Sequence, residues 1–281
     1  MEKLYDDAAF TTTVESRKQG MAFALKRFHG DVKFAMFEAF TRPNDSLLDL
    51  GCGKGQDIAK WIHAKLRYVL GFDRSSRSID EANNRFKPKK DDIVIQFEHR
   101  SNFGTEAFHN NWVLFDHVSA MFSLHYFFES EAILTQCLEN ISNNLKAGGI
   151  FFGIVPEGKK ILALLNQKQS FSSDFLNVES QFNVLEPNCF GSKYLFSMND
   201  TVTEHKSPEF LVFSSTFLAI ASKFNLQPII DYPKNSNLLK LLDPKDQGKF
   251  LKHLNPNFGQ GKEILATASS IFATFALIKT D

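Results

Sequence analysis

Between residues 46 and 156 the chain alternates short unbroken apolar runs with stretches whose apolar residues recur at helical spacing. The pattern predicts a strand at 46–50, a helix at 56–66, a strand at 68–73 and a helix at 76–85; a Lys/Asp loop and a strand at 92–98 follow. After a polar stretch come a strand at 113–121, a helix at 129–145, the turn Lys146-Ala147-Gly148-Gly149 and a strand at 150–155. Apolar runs bounded by turn residues read as strands buried on both faces, and their alternation with helices reads as a parallel, doubly wound sheet. In such a sheet the ligand lies at the carboxyl ends of the strands. Upstream, Val14 to Phe40 keeps helical spacing, and Arg42-Pro43-Asn44-Asp45 is a turn that launches the first strand. Beyond Pro156 the pattern changes to a helix at 157–168, a polar stretch at 169–190 and strand-like runs at 191–198 and 208–213. A helix at 214–224, a strand near 227–231, a helical stretch at 236–254 and a strand at 270–279 complete it. One domain is expected: a helical extension at 1–45, a core at 46–156, an insertion at 157–213 and a completion of the sheet at 214–281.

Composition narrows the choice of chemistry. At 281 residues the chain can bury a full core. Its formal net charge is zero, so no global field draws it to nucleic acid, and any phosphate must be met by a local basic patch. The 30 phenylalanines read mainly as core filling. Cys52, Cys137 and Cys189 are unclustered, which suits a reducing, intracellular compartment and gives no metal spacing. No apolar run reaches the length of a membrane span, so no membrane association is expected.

The candidate chemistry begins at Asp49-Leu50-Gly51-Cys52-Gly53-Lys54-Gly55-Gln56-Asp57. Glycines at alternate positions let a backbone turn sharply and approach a ligand where a Cβ would intrude. The next strand ends in Asp73, well placed to hold two ribose hydroxyls. This Asp-x-Gly-x-Gly-x-Gly form, with an acid at the following strand end, resembles methyltransferases that use S-adenosylmethionine. A second cluster, Met121-Phe122-Ser123-Leu124-His125-Tyr126-Phe127-Phe128-Glu129, follows the fourth strand of the core. Stacked aromatics beside a polar ring suit a flat heterocycle, although His and Tyr in a Phe-rich run are more often core.

That second cluster resembles the Phe-x-x-His-Tyr-x-Phe-Glu motif of messenger-RNA cap guanine-N7 methyltransferases. Leu25 to Lys33, Ser78-Ile79 to Asn84-Arg85, Gly153-Ile154-Val155-Pro156 and Pro208-Glu209-Phe210-Leu211-Val212 are similar to further segments of that family, in the same order. The Phe and Asn richness also resembles capping enzymes of large cytoplasmic DNA viruses. The resemblance implies a Rossmann-like class I methyltransferase fold, a mostly parallel seven-stranded sheet flanked by helices, with the insertion as a substrate lid. It implies transfer of a methyl group from S-adenosylmethionine to guanine N7 of the cap without a general base, and hence without a catalytic residue in the strict sense. Lys33, Asp49, Gly51, Cys52, Gly53, Asp73, Met121 and Tyr126 would then surround the donor. Either Glu98 or Ser101 would meet its adenine. Lys54, Lys60 and Arg85 would meet the cap phosphates and ribose. Phe122, His125, Tyr126, Pro156, Glu209 and Phe272 would hold the guanine. The implied partners are the capped 5′ end of messenger RNA and the guanylyltransferase and triphosphatase domains of the same polypeptide. Phe272 stands where the family usually has a tyrosine, and Met121 where it often has glutamine. Other readings are a methyltransferase with another RNA or small-molecule acceptor, and a non-catalytic cap-binding module.

Overall fold

The computed structural model describes residues 20, 22–86, 93–199, 201 and 206–281. The first helix, α1 (Phe23–Phe40), buries Val32, Met36 and Phe37 against the sheet. The start of the expected helix, at 14–19, and the Lys/Asp loop at 87–92 lie outside the described residues. The core then runs β1 (Ser46–Leu50), α2 (Ile58–His63), β2 (Tyr68–Asp73), α3 (Ser76–Arg85), β3 (Val94–His99) and β4 (Phe115–Met121). A 3-10 turn (Leu124–Glu129), α4 (Glu131–Asn144) and β5 (Leu145–Pro156) follow. After these come α5 (Gly158–Leu165), β6 (Ser170–Ser172), β7 (Leu176–Ser180), β8 (Lys193–Met198) and β9 (Ser207–Phe210). The chain closes with α6 (Ser214–Ala221), β10 (Leu226–Pro228), β11 (Lys252–His253), α7 (Glu263–Ser270) and β12 (Phe272–Lys279).

The main sheet has the order β10-β12-β5-β4-β1-β2-β3, with the short β11 paired to β12 off this path. Strands β1 to β5 are parallel, whereas β12 runs antiparallel to both β5 and β10. Both faces are covered, and the period of two along each strand assigns residues to one side or the other. Leu47 and Val69 join α1 on one face, and Leu48, Leu50, Leu70 and Phe72 join α4 and α6 on the other. Winding order reverses between β1 and β4, so their carboxyl ends open a crevice where a ligand of a doubly wound sheet binds.

Several boundaries move for local reasons. Ser130 caps α4, its Oγ accepting the Ile133 N–H at 3.2 Å, so that helix starts at Glu131. Helix α5 stops at Leu165 because Asn166 turns left-handed, with φ 48°. Lys146-Ala147-Gly148-Gly149 is not a turn ahead of β5 but a bulge inside it. Phe115 pairs with Leu145 and His117 with Ile150, so the four residues 146–149 loop out opposite Asp116 alone. Lys146 returns to that aspartate at 2.6 Å.

The polar stretch at 169–190 contains β6 and β7, which the periodicity did not separate from loop. With β8 and β9 they make an antiparallel four-stranded sheet in the order β6-β7-β8-β9. Strands of three and five residues rich in Ser and Asn carry too few apolar positions for alternation to stand out. Helix α7 likewise falls where no element was expected.

Phenylalanine fills the core as its abundance implies. Phe217 of α6 is fully buried, with its ring centroid 5.2 Å from Phe275, 5.7 Å from Phe250 and 6.3 Å from Phe128. Replacing Phe217 with alanine is expected to cost about 3–5 kcal/mol. A urea titration should show a lower midpoint with an unchanged slope.

Candidate active site

The end of β1 and the loop after it form one side of the crevice. Gly51, Gly53 and Gly55 have φ of 81°, 51° and 68°, in the left-handed region that side chains disfavour. At Gly51 the reason is also steric, since a Cβ there would stand 2.6 Å from Ser123 Cβ. The N–H groups of Gly51 and Cys52 both bond to Phe72 O, at 2.8 and 2.9 Å, which fastens the loop to the end of β2. Asp73, the last residue of β2, accepts the Gly53 N–H at 2.8 Å on one oxygen and the Ser75 N–H at 2.9 Å on the other. A carboxylate has about four acceptor sites, so both oxygens can still take a hydroxyl. Burial raises the pKa of Asp73, and the two backbone donors partly offset that. A glycine cradle that a Cβ would fill, with an anchored carboxylate at the next strand end, fits a nucleoside-bearing donor.

Charge behind this loop centres on Asp57, a residue the motif contained but to which no role was given. Lys33 of α1 reaches one of its oxygens at 2.7 Å and Lys60 of α2 the other at 2.9 Å. Burial alone would raise the Asp57 pKa, yet the two ammonium groups outweigh it and hold the carboxylate below its usual value. Lys60 therefore departs from the expectation of a cap contact: it is buried, on Asp57 and 5.1 Å from the centroid of Phe34. A buried ammonium needs a buried partner, and the acid supplied by the loop is that partner. Lys33 bonds to the same acid and lies 5.4 Å from the Phe122 ring centroid. Asp49 is buried with Ser119 Oγ donating to it. Burial first, and then the charge of Asp57, push its pKa up to about 7. Cys52 is also buried, which raises its thiol pKa, and Met121 ends β4 with its side chain buried.

Lys54 and Arg85 come together at the rim, both on Glu81 of α3 at 3.3 and 3.4 Å. Of the two adenine candidates, Glu98 is engaged by Arg100 at 3.3 Å, whereas Ser101 stands exposed beyond the end of β3.

The segment after β4 forms the other side of the crevice. Phe122 has φ 62°, a strained value for a non-glycine residue, and its N–H bonds to Ile154 O at 2.9 Å. Its ring meets Phe272 edge-on at 5.0 Å and His29 at 5.1 Å. Phe272 in turn pairs in register with Pro156, so three of the expected wall residues converge. Ser123 touches the glycine loop and donates to Leu50 O, which joins the two sides. Two residues on, His125 is 2 % exposed and lies against Tyr126, with ring centroids 4.1 Å apart and the planes tilted by 48°, and neither of its ring nitrogens has a hydrogen-bond partner among the described residues. Burial lowers its pKa to about 3, so the imidazole is neutral.

Glu209 of β9 lies opposite, 4 % exposed, with Oε1 3.7 Å from His125 Nε2. Its other oxygen accepts the Tyr194 hydroxyl at 2.9 Å. Burial pushes the Glu209 pKa up to about 8, and the Tyr194 bond works against that rise. Tyr194 was visible in sequence only as a strand residue. Its directly opposite position to Glu209 across β8 and β9 depends on a register that the intervening loop sets.

Comparison with known proteins agrees with this geometry. Among solved structures, S-adenosylmethionine-dependent methyltransferases from Listeria monocytogenes and Mesorhizobium loti are similar in fold. The first has a TM-score of 0.56 at 14 % identity, covering 92 % of this chain and 98 % of the other. The second has 0.55 at 12 % identity, covering 93 % and 99 %. By sequence, the chain is 29 % identical over 276 residues to the mRNA cap guanine-N(7) methyltransferase of Candida glabrata, covering 92 % of this chain and 64 % of that protein. It is 26 % identical over 276 residues to that of Saccharomyces cerevisiae, covering 92 % and 62 %. The chain thus spans a little under two thirds of the length of these curated relatives. Residues 2–271 match the family model described as the mRNA (guanine-N(7))-methyltransferase domain. With nearly its whole length matched, and a glycine loop joined to a buried His–Glu wall, the chain belongs to the mRNA (guanine-N(7))-methyltransferase domain family.

Proposed function

We propose that this chain methylates guanine N7 of the cap of messenger RNA, with S-adenosylmethionine as donor. The observation that carries this reading is the buried Glu209–His125 pair, set in an aromatic wall one short segment from the glycine loop. A carboxylate at the base edge accepts from the guanine N1–H and N2–H together, and adenine offers no such pair. His125, with both nitrogens unpartnered, is available to the O6 side. Phe122, Tyr126, Pro156 and Phe272 confine a flat ring between these groups; without a hydroxyl, Phe272 contributes packing alone. Lys54 and Arg85, which share Glu81 at the rim, would meet the cap phosphates.

S-adenosylmethionine, when bound, supplies an electrophilic methyl on a sulfonium. Gly51 to Gly53 and Asp73 would hold its nucleoside and Lys33 its carboxylate. Guanine N7 carries an in-plane lone pair and no proton, so no side chain has to act as base. What the chain contributes is orientation at near-attack distance and a carboxylate and a neutral imidazole near the purine that becomes cationic. The steps that build the cap are assigned to further domains of one longer capping polypeptide, of the kind found in large cytoplasmic DNA viruses; the Phe- and Asn-rich composition is what supports this.

The test is methylation of RNA beginning GpppN against RNA beginning ApppN or an uncapped triphosphate. Transfer to the first alone is expected. Equal transfer to all three, or donor binding without any transfer, would favour another acceptor, and cap binding without donor binding a cap-binding module. Changing Lys54 and Arg85 together to alanine should raise KM for capped RNA and flatten its salt dependence. Each phosphate that is no longer neutralised takes about 0.7 from the log–log slope. An unchanged slope would show that neither residue meets a phosphate.

A further inference from the structure

The specificity carboxylate is itself held by a residue to which neither the motifs nor the family match gave a role. We infer that Tyr194 is a positioning residue for guanine recognition: its hydroxyl fixes the plane of the Glu209 carboxylate and keeps its acceptors turned to the base. This rests on the cap reading above.

The geometry is specific. Tyr194 and Glu209 are a directly paired couple on β8 and β9, so their side chains leave the sheet on the same face. The tyrosine is wholly buried, its ring 6.3 Å from Phe196, and Phe196 stands 6.3 Å from Phe272 in the pocket wall. Close packing of this kind leaves the phenol little freedom to rotate. One bond to Oε2 at 2.9 Å therefore fixes the carboxylate without exhausting its roughly four acceptor sites. Oε1 is left 3.7 Å from His125 Nε2, beyond hydrogen-bond reach. The 3-10 turn that carries His125 and Tyr126 packs on β9, so among the described residues the titratable groups around Glu209 are Tyr194, His125 and Tyr126.

The same bond also favours the ionised form. Burial raises the Glu209 pKa, and the Tyr194 hydroxyl lowers it again by donating to the ionised form. A protonated Glu209 would present one donor and lose the paired acceptors that guanine requires. Without the tyrosine hydroxyl, ionisation and orientation both deteriorate, and the cost falls on guanine binding rather than on methyl transfer within the bound complex.

The experiment compares wild type with Tyr194→Phe on guanosine-capped and inosine-capped RNA across pH 6–10; inosine lacks the N2 amino group. Tyr194→Phe should raise KM for the guanosine cap about tenfold, as for loss of one hydrogen bond to a charged group. It should leave kcat at saturation near wild type, and narrow the preference for guanosine over inosine. The rising limb of kcat/KM against pH should move to higher pH. A double-mutant cycle with Glu209→Gln, read as the Kd of a cap analogue, should be clearly non-additive. An unmoved pH limb and preference, with only a lower Tm, would reduce Tyr194 to core packing and overturn the inference, as would a fully additive cycle. If wild type itself neither binds nor methylates the guanosine cap, the cap reading fails; an active wild type with an unmoved Tyr194→Phe overturns this inference alone.

Discussion

Glu209→Ala is expected to lower kcat/KM for capped RNA by on the order of 10²–10³-fold while leaving donor affinity near wild type. Truncating one side of a buried, hydrogen-bonded charged contact costs about 2–5 kcal/mol, and here the bound base would be left with two unmatched donors. Glu209 meets Tyr194 and faces His125, whereas the glycine loop and Asp73 form the other side of the crevice. Donor titration by calorimetry, set beside steady-state kinetics on capped RNA, separates the two effects. A matching loss of donor affinity would mean that Glu209 supports the whole crevice. The pH dependence follows from the same carboxyl. Its folded pKa of about 8 lies above the unfolded value of 4.5, so the folded state binds the extra proton between them. The stability it contributes is fully present below 4.5 and is lost as pH rises through 8. On the proposed reading guanine binding needs the ionised form, so kcat/KM should climb toward pH 8 as stability falls.

Gly51→Ala should abolish measurable donor binding, a loss of 100-fold or more, while the chain still folds. Two costs coincide at this position. With φ at 81° an alanine adopts a conformation disfavoured by roughly 1–2 kcal/mol. Its Cβ would also stand 2.6 Å from Ser123 Cβ, an atom next to the backbone that cannot swing aside. The loop must therefore move, and with it the Gly53 N–H that orients Asp73. A cooperative thermal transition without a donor-induced rise in Tm is the expected readout. A normal rise would show that the loop does not line the donor.

The sequence made the central sheet legible because its strands are buried on both faces. Runs such as Leu47-Leu48-Asp49-Leu50 and Val69-Leu70-Gly71-Phe72 stand out against helical spacing, and both were placed to the residue. The glycine loop was legible because few other residues tolerate its backbone angles, and Asp73 because it ends the next apolar run. The insertion was harder. Its strands are short and half-exposed, and β7 shows its alternation over only five residues. The site was legible where a local motif carries it, as in Phe122 to Tyr126, and not where it depends on register. Nothing local says that Tyr194 stands across from Glu209, or that Asp57 draws in two lysines from different helices. Lys60 shows the converse: a basic residue at a helical position reads as a surface phosphate ligand until the buried acid beside it is seen.

The most direct test of a single site joining donor loop and guanine edge is transfer of label from S-adenosylmethionine to guanosine-capped RNA, with the labelled atom identified after digestion. Wild type should yield 7-methylguanosine. Asp73→Ala should yield none because it no longer binds donor, and Glu209→Ala should yield almost none while still binding it. Label on any other atom, or transfer indifferent to Glu209→Ala, would contradict guanine-N7 methylation at this site.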